Sequence, residues 1–453
     1  MDPNDCLDIL GQQPFLNIYT QLSLIFPVTS PSSHADIIDT LTAGLERLAE
    51  NLPWVAGQVT IGDPGDGAPG SFRIVPLGGI PSLAIRDLRR DSSAPTMDSL
   101  RRAGFPFRML DEALVAPQPT LPGGVAGSGP EPTPVFAVQV NFIAGGLILT
   151  CVAQHQTMDL TGQCQVMSLL SRICRGENLT SSEIADANPT RRGRIPLLGD
   201  TYTPGHGLDF QVAKPLASPP ASDESPATAA WAYFAFSPES LAAIKLLAME
   251  NAATPPGFVS TDDALTAFIW QSVARVRGQR LRFDAKSTLG RAVDVRRHLG
   301  VPQTYPGMLQ NLAYKTHTLQ ELARMPLGNV ASELRLAVDP STSQLAYTTR
   351  ALATMIERVE DKSTVSLTAG IDPSTDLLLS SWTNPGFYNM DFGLGLGKPE
   401  AVRRPCFVPV EGLGYFMPRL GRGQIVVAIC LRAKDLQGLQ DDTEFSRYTT
   451  YIG

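Results

Sequence analysis

The chain is poor in the features that announce the commonest chemistries. Its six cysteines, Cys6, Cys151, Cys164, Cys174, Cys406 and Cys430, form no C-x-x-C pair and have no zinc-site spacing. They fall mostly inside apolar segments and read as buried, reduced thiols in a reducing, cytoplasmic setting. The longest clean apolar run, Ala144 to Ala153, falls far short of the ~20 residues that span a bilayer, so no membrane association is expected. Residues Met1 to Cys6 show no basic region leading into an apolar one, and no secretory leader is expected. Lys and Arg total 37 against 44 Asp and Glu, a net charge of -7, and no basic block occurs. A phosphate-rich polymer is repelled on average, which excludes nucleic acid as an expected partner. A local basic patch for one small phosphorylated cofactor is still compatible with that balance. There is no G-x-S-x-G elbow, Walker A, H-E-x-x-H or dinucleotide fingerprint after a strand.

What is present describes an ordinary globular protein, with 43% hydrophobic residues and a mean hydropathy of -0.01. At 453 residues the chain exceeds a single core, which stops growing near ~250–300 residues. Two stretches rich in Pro, Gly, Ser and Ala, Ala116 to Pro134 and Lys214 to Ala229, read as loops or linkers. The second divides the chain into an N-terminal half, 1–213, a crossover, 214–229, and a C-terminal half, 230–453. A segment near 380–415 is a candidate to pack with the first half. Between the two stretches, Val135 to Asn141 alternates, Gly145-Gly146 interrupts, and Leu147 to Val152 is continuously apolar, which predicts two strands joined by a glycine turn. Apolar residues then recur at Val166, Leu169, Leu170, Ile173 and Cys174, a helical spacing stopped by Gly176. Ser260 and Asp263 make a capping box before another helix. Strands and helices mixed throughout indicate an α/β architecture.

Of five histidines, His155 has the most organised surroundings. It lies where the apolar strand runs out, four residues before Asp159 and just ahead of the amphipathic helix. Imidazole, with a pKa of about 6.5, is the side chain suited to take a proton near neutrality. His155 therefore reads as a general base for a hydroxyl or amine, or else as a hydrogen-bonded core histidine. Asp159 could orient it, making it part of the catalytic set, or could hold the loop. His34, His206, His298 and His317 stand isolated and read as surface or structural. The run Asp391-Phe-Gly-Leu-Gly-Leu-Gly-Lys-Pro399 places Gly393 and Gly395 where unusual backbone shapes are allowed, and reads better as a tight loop braced by Asp391 than as a phosphate loop. Leu289 to Arg297 offers partners for the brace. On a strand, Asp294 and Arg296 would share a face, and Arg296 could pair with Asp391 or with Asp159.

Taken together, H-x-x-x-D in the first half and D-F-G-x-G in the second resemble the paired signature of the BAHD-type, coenzyme A-dependent acyltransferases. The likeness to the fungal trichothecene 3-O-acetyltransferase branch is closer. It runs through Leu10 to Pro14, Ile18 to Gln21, Pro53 to Val59, Asn141 to Ile143, Phe258 to Leu265, Arg291 to Asp294 and Asp391 to Glu400. This resemblance implies two similar chloramphenicol-acetyltransferase-like domains of mixed sheets flanked by helices, with the active site in a channel between them. It implies that His155 is the catalytic base, that Asp159 turns away to pair with an arginine, and that Asp391 is structural. It brings Ser260, Thr261, Asp262 and Asp263, the segment Gly307 to Asn311, and Ser380, Ser381 and Trp382 close to coenzyme A. Leu394 stands where the plant members carry tryptophan. Gln156 and Thr157 are expected to face the site and to influence acceptor choice.

The activity so implied is O-acetylation of a hydroxyl of a fungal secondary metabolite, the C-3 alcohol of a trichothecene first. Acetyl-CoA is the co-substrate, no permanent cofactor or metal is needed, and the protein is a monomer. Two alternatives stay open from the residues alone. One is O- or N-acylation of another secondary metabolite, and the other is a non-acylating binding or cyclisation protein on the same fold.

Overall fold

The computed structural model describes residues 6–28, 34–62, 71–122, 133–213, 228–250, 258–420 and 423–453. In chain order the strands are β1 (Tyr19–Pro27), β2 (Gly57–Ile61), β3 (Phe72–Pro76), β4 (Ser82–Asp87), β5 (Phe136–Ile143) and β6 (Gly146–Gln154). They continue with β7 (Ala229–Phe236), β8 (Lys286–Asp294), β9 (Gln310–Thr318), β10 (Leu377–Ser381), β11 (Ala401–Arg403), β12 (Leu413–Phe416), β13 (Ile425–Arg432) and β14 (Thr450–Tyr451). Most of the crossover 214–229 and the tip of the earlier loop lie outside the described residues.

Two mixed sheets form the frame. The first runs β11-β1-β6-β5-β4 and the second β14-β7-β13-β12-β10-β8-β9, while β2 and β3 make a separate ribbon. The predicted hairpin is β5–β6, antiparallel, with Gly145 at φ 76° in its turn. Every residue of β5 and β6 is buried; β6 is apolar almost throughout, while β5 alternates and keeps Gln139 and Asn141 inside by donating to the carbonyls of Leu114, Val115 and Ile148. The helices His34–Asn51 and Leu160–Cys174 pack on each other so closely that a Cβ on Gly44 would lie 2.3 Å from Cys174 Sγ. The second sheet is covered by helix Thr261–Arg277, which is buried on nearly every side. The capping box that starts it is present, Ser260 and Asp263 bonding each other's backbone N–H reciprocally.

The chain does not keep its halves apart. Strand β11, from beyond residue 400, adds to the free edge of β1, pairing Ser23 with Arg403. In the other direction, Leu10 and Leu16 share a core with Val295, Tyr305, Met308 and Ile356. Asp8 anchors that crossing. It accepts from Arg191 Nη1 at 3.0 Å, from the Met308 amide at 2.9 Å and from the Tyr305 hydroxyl.

Two sequence expectations need correction. Strand β8 ends at Asp294, and Arg296 opens the one-turn helix Arg296–Leu299, so the two do not share a strand face. All six cysteines are free, but only Cys151 and Cys430 are buried and the other four are half-buried, because they sit where helices and loops meet the surface. Among the described residues no helix is long and apolar enough to cross a membrane.

The contact between the halves is tight at Gly162, where an added Cβ would lie 1.9 Å from the Pro306 carbonyl oxygen. Gly162→Ala is expected to cost about 1–3 kcal/mol by overpacking. Urea denaturation followed by circular dichroism should show this as a lowered midpoint. Gly199→Ala, at an exposed position with nothing within 4 Å of the new Cβ, should leave the midpoint unchanged.

Candidate active site

Two cavities meet between the sheets. One, of about 390 Å³, is mostly apolar and includes Ile18, Leu312, Ile371, Phe407 and Tyr415. The other, of about 930 Å³, is a wider cleft lined by Lys245, Arg297, His298 and Arg419, and the carboxylates on its wall, Asp159, Asp262 and Asp294, are each paired with Arg296 or Arg291. Leu160, Ala292, Gln310, Ser380 and Trp382 line both, so the two are continuous. An apolar chamber opening onto a cation-lined cleft is a division suited to a hydrophobic acceptor and an anionic donor.

His155 lies on the wall of the apolar cavity, directly after β6. Its amide donates to the Ile18 carbonyl at 2.8 Å, which extends the β1–β6 pairing by one bond. Its Nδ1 is 3.2 Å from the Met158 carbonyl oxygen. A carbonyl only accepts, so Nδ1 carries the proton of the neutral ring and Nε2 keeps its lone pair. Burial pushes the imidazole pKa below the usual 6.5; the Met158 bond and Asp159 pull it up, and the Arg404 charge pushes it further down. A neutral ring with a free lone pair is the state a proton acceptor needs.

Asp159 does not touch this ring. Its carboxylate receives four N–H groups: Arg296 Nη1 at 2.8 Å, Arg296 Nη2 at 2.9 Å, the Leu309 amide at 2.9 Å and the Gly162 amide at 3.0 Å. Both partners are buried. Asp159 is thus the N-cap of helix Leu160–Cys174 and the far half of an ion pair, and its inclusion in the catalytic set is corrected. Arg296 also donates to the carbonyls of Tyr305 and Gly307 and to Asp294. Burial pushes its guanidinium pKa down, but Asp159 and Asp294 outweigh that and hold it above the ordinary arginine value.

The Asp391 motif lies elsewhere. Its Oδ1 accepts from the Gly393 amide at 2.9 Å, and its carbonyl accepts from Ser171 Oγ and Arg175 Nη1 at 2.8 and 2.5 Å. The brace is therefore the C-terminal end of helix Leu160–Cys174, not Leu289 to Arg297. Gly393 and Gly395 have φ of 68° and 72°, a region closed to most side chains, so the glycines shape the loop. A Cβ on Gly393 would also meet the Cys174 carbonyl at 3.0 Å.

Of the residues expected near the donor, Ser260, Thr261, Asp262, Ser380, Ser381 and Trp382 line the wide cleft. Asp263 stands behind it, holding Ser260 and Arg291. Asp262 receives Arg291 Nη2 at 2.6 Å and the Ser381 hydroxyl, and Trp382 Nε1 donates to Ser380 Oγ at 3.0 Å. Gln156 and Thr157 do not face either cavity. Gln156 Nε2 donates to the Gly11 and Gln13 carbonyls of the N-terminal segment and Thr157 Oγ1 to the Gln154 carbonyl, which satisfies the buried polar groups of this turn within the protein. Of the histidines read as isolated, His34 stacks on Phe142, His317 bonds Glu333, and His298 bonds the Val338 carbonyl on the cleft wall. Sequence reasoning missed Lys245, Arg297, Arg404 and Arg419. Lys245 and Arg419 carry no local pattern, and Arg297 sits in the run Arg296-Arg297-His298, whose charge gives no sign of facing a cleft. Arg404 had a signal, a charged pair inside the otherwise apolar Ala401-Val-Arg-Arg-Pro-Cys-Phe407.

Two family profiles match this chain: a trichothecene 3-O-acetyltransferase-like N-terminal domain over residues 18–174, and the Transferase family over residues 118–446. The chain belongs to the Transferase family. This member is 49% identical over 451 residues to a trichothecene 3-O-acetyltransferase of Fusarium sporotrichioides, covering 99% of the chain and 97% of that protein. It is 49% identical over 448 residues to an O-acetyltransferase of a Cryptosporiopsis species, with the same two coverages. Its fold superposes with a TM-score of 0.92 on F. graminearum TRI101 complexed with coenzyme A and T-2 mycotoxin, at 46% identity over 99% of both chains. Vinorine synthase shares the fold alone, with a TM-score of 0.68 at 16% identity over 98% of this chain and 93% of that one.

In this transferase, Arg296→Met should leave Asp159 buried without its ion partner, a change that typically costs about 3–5 kcal/mol. A urea titration should show the loss. Asp159→Asn, which keeps a capping oxygen, should be milder.

Proposed function

We propose that this protein is an acetyl-CoA-dependent O-acetyltransferase of a fungal secondary metabolite, with the C-3 hydroxyl of a trichothecene as the first acceptor. The observation that carries this reading is His155, neutral and with Nε2 free, on the wall of an apolar chamber that opens onto a cation-lined cleft. The names of the relatives support the same reading. One is a trichothecene 3-O-acetyltransferase, and solved structures of F. graminearum TRI101 hold coenzyme A with T-2 mycotoxin or deoxynivalenol.

The acceptor enters the apolar chamber and the donor lies along the wide cleft, its phosphates against Lys245, Arg297 and Arg419. His155 Nε2 removes the hydroxyl proton as the oxygen attacks the thioester carbonyl. The Met158 carbonyl holds the other ring proton and is in place to steady the imidazolium. The tetrahedral intermediate collapses, His155 returns its proton to the departing thiolate, and the ester and free coenzyme A leave. Direct transfer of this kind forms no acyl-enzyme. Six free thiols suit a reducing compartment, and we place the work of the enzyme, as a monomer, in the cytoplasm.

The test is thiol release from acetyl-CoA with a trichothecene bearing a free C-3 hydroxyl. General-base catalysis typically contributes ~10²–10⁴-fold, so His155→Ala should lose activity by that factor while coenzyme A binding persists. An unimpaired variant would remove His155 as the base, and no thiol release by the wild type would favour the non-acylating alternative. A second outcome concerns pH. The neutral ring is the active form and its pKa is lowered, so the acid limb of kcat/KM should fall below pH 6.5 and activity should be level through neutrality. An acid limb above 6.5 would remove His155 from the proton-transfer step.

A further inference from the structure

The apolar chamber holds a buried cation whose N–H groups no step described so far uses. Arg404 is 2% exposed and lines the chamber together with His155. Its backbone is fixed from both sides, the amide donating to the Tyr233 hydroxyl at 3.1 Å and the carbonyl accepting from it at 3.2 Å. The guanidinium carbon lies 4.5 Å from the Phe407 ring centre, 4.8 Å from that of Tyr415 and 5.5 Å from that of Trp382. Aromatic rings attract a cation, but they offer no lone pair to the N–H edges of the fork. Those edges are poorly served. Among the described residues Nε has no hydrogen-bond partner, and the bond from Nη2 to Thr120 Oγ1 is 3.5 Å long.

The two carboxylates on the same wall are not in this condition. Asp376 accepts from the amides of Thr288 and Asp372 and from the Thr375 hydroxyl. Glu411 accepts from Arg432 Nε at 2.9 and 3.1 Å. A buried guanidinium with an orphaned N–H is costly to keep unless something else completes it. The chamber itself is where that partner can come from.

We propose that Arg404 is the polar anchor of the acceptor pocket, and that the pocket takes alcohols carrying a second, carbonyl-type oxygen besides the reacting hydroxyl. The ketone or ester oxygen accepts from the Arg404 edge while the apolar body fills the space between Ile18, Leu312 and Ile371. A neutral oxygen fits better than a carboxylate, because three rings already stabilise the cation and the apolar walls would strip water from an anion. The anchor fixes which hydroxyl of a polyol reaches His155. The identity of the reaction rests on the acetyltransferase reading above, but the binding contact does not.

The test compares wild type, R404M and R404K with deoxynivalenol and with its counterpart in which the ring carbonyl is a methylene. Losing a charge-assisted hydrogen bond should raise the KM of the keto compound about 10–100-fold in R404M. The change in kcat should stay within about 2-fold, and the KM for acetyl-CoA should not move, since Arg404 lies outside the donor cleft. Wild type should prefer the keto compound, and R404M should lose that preference, a signature that a merely structural role would not produce. R404K, with a point charge but no fork, should fall between. A preference retained in R404M, or a loss confined to kcat, overturns the proposal. Calorimetric binding to the coenzyme A-saturated protein separates it from the functional reading. Weakened binding in R404M without acetyl transfer by any form upholds the anchor and sinks the reaction. Equal binding by wild type and R404M, or no binding of deoxynivalenol by wild type, sinks the anchor.

Discussion

The buried pair of Asp159 and Arg296 holds the rest of the site in place. Four N–H groups converge on one carboxylate, two from the guanidinium, one from the first turn of helix Leu160–Cys174 and one from Leu309. The pair thereby ties the element that follows His155 to the segment that precedes β9, across the line where the two sheets meet. Desolvating two charges is costly and is offset only where the geometry is this complete. Its return is positional. With the helix start fixed, the turn 155–158 has one shape, Met158 offers its carbonyl to Nδ1, and the opposite nitrogen is left for chemistry.

The paired motifs are separate devices joined by one helix. Asp159 caps the N-terminus of Leu160–Cys174, and the loop of Asp391 is held by Ser171 and Arg175 at its other end. A single rigid rod thus lies between the proton-accepting turn and the glycine loop. The motif in the second half acts on the first half through packing, and no atom of Asp391 needs to approach the substrates.

What was legible in the sequence was local. The hairpin of β5 and β6, the helix after Asp159 and the Ser260 capping box are set by periodicity and by turn and cap residues, which few tertiary contacts override. His155 was visible because its strand ends in a burst of polar residues. The partner of Arg296 was not, since Asp159 and Asp391 are both remote in sequence and only packing chooses between them. Asp391 was given a distant brace because its own loop and the helix end behind it leave no pattern in the residues. The burial of Gln156 is not legible in the sequence, since it depends on Gly11, where a Cβ would come within 2.1 Å of the Gln156 carbonyl oxygen, and Thr157 turns back to bond Gln154. Arg404 carried a signal, a charge inside an apolar run, whose meaning appears only when Phe407, Tyr415 and Trp382 are seen around it.

Strand β11 has a consequence for how the protein is made. The first sheet is complete only when Ala401–Arg403 reaches β1 and pairs with its Ser23–Ile25 edge. Synthesis proceeds from the N-terminus, so nearly nine-tenths of the chain must leave the ribosome before that edge is closed. The nascent protein carries an open β edge through most of its translation, and the residues that finally seal it are the ones that also deliver Arg404 to the chamber.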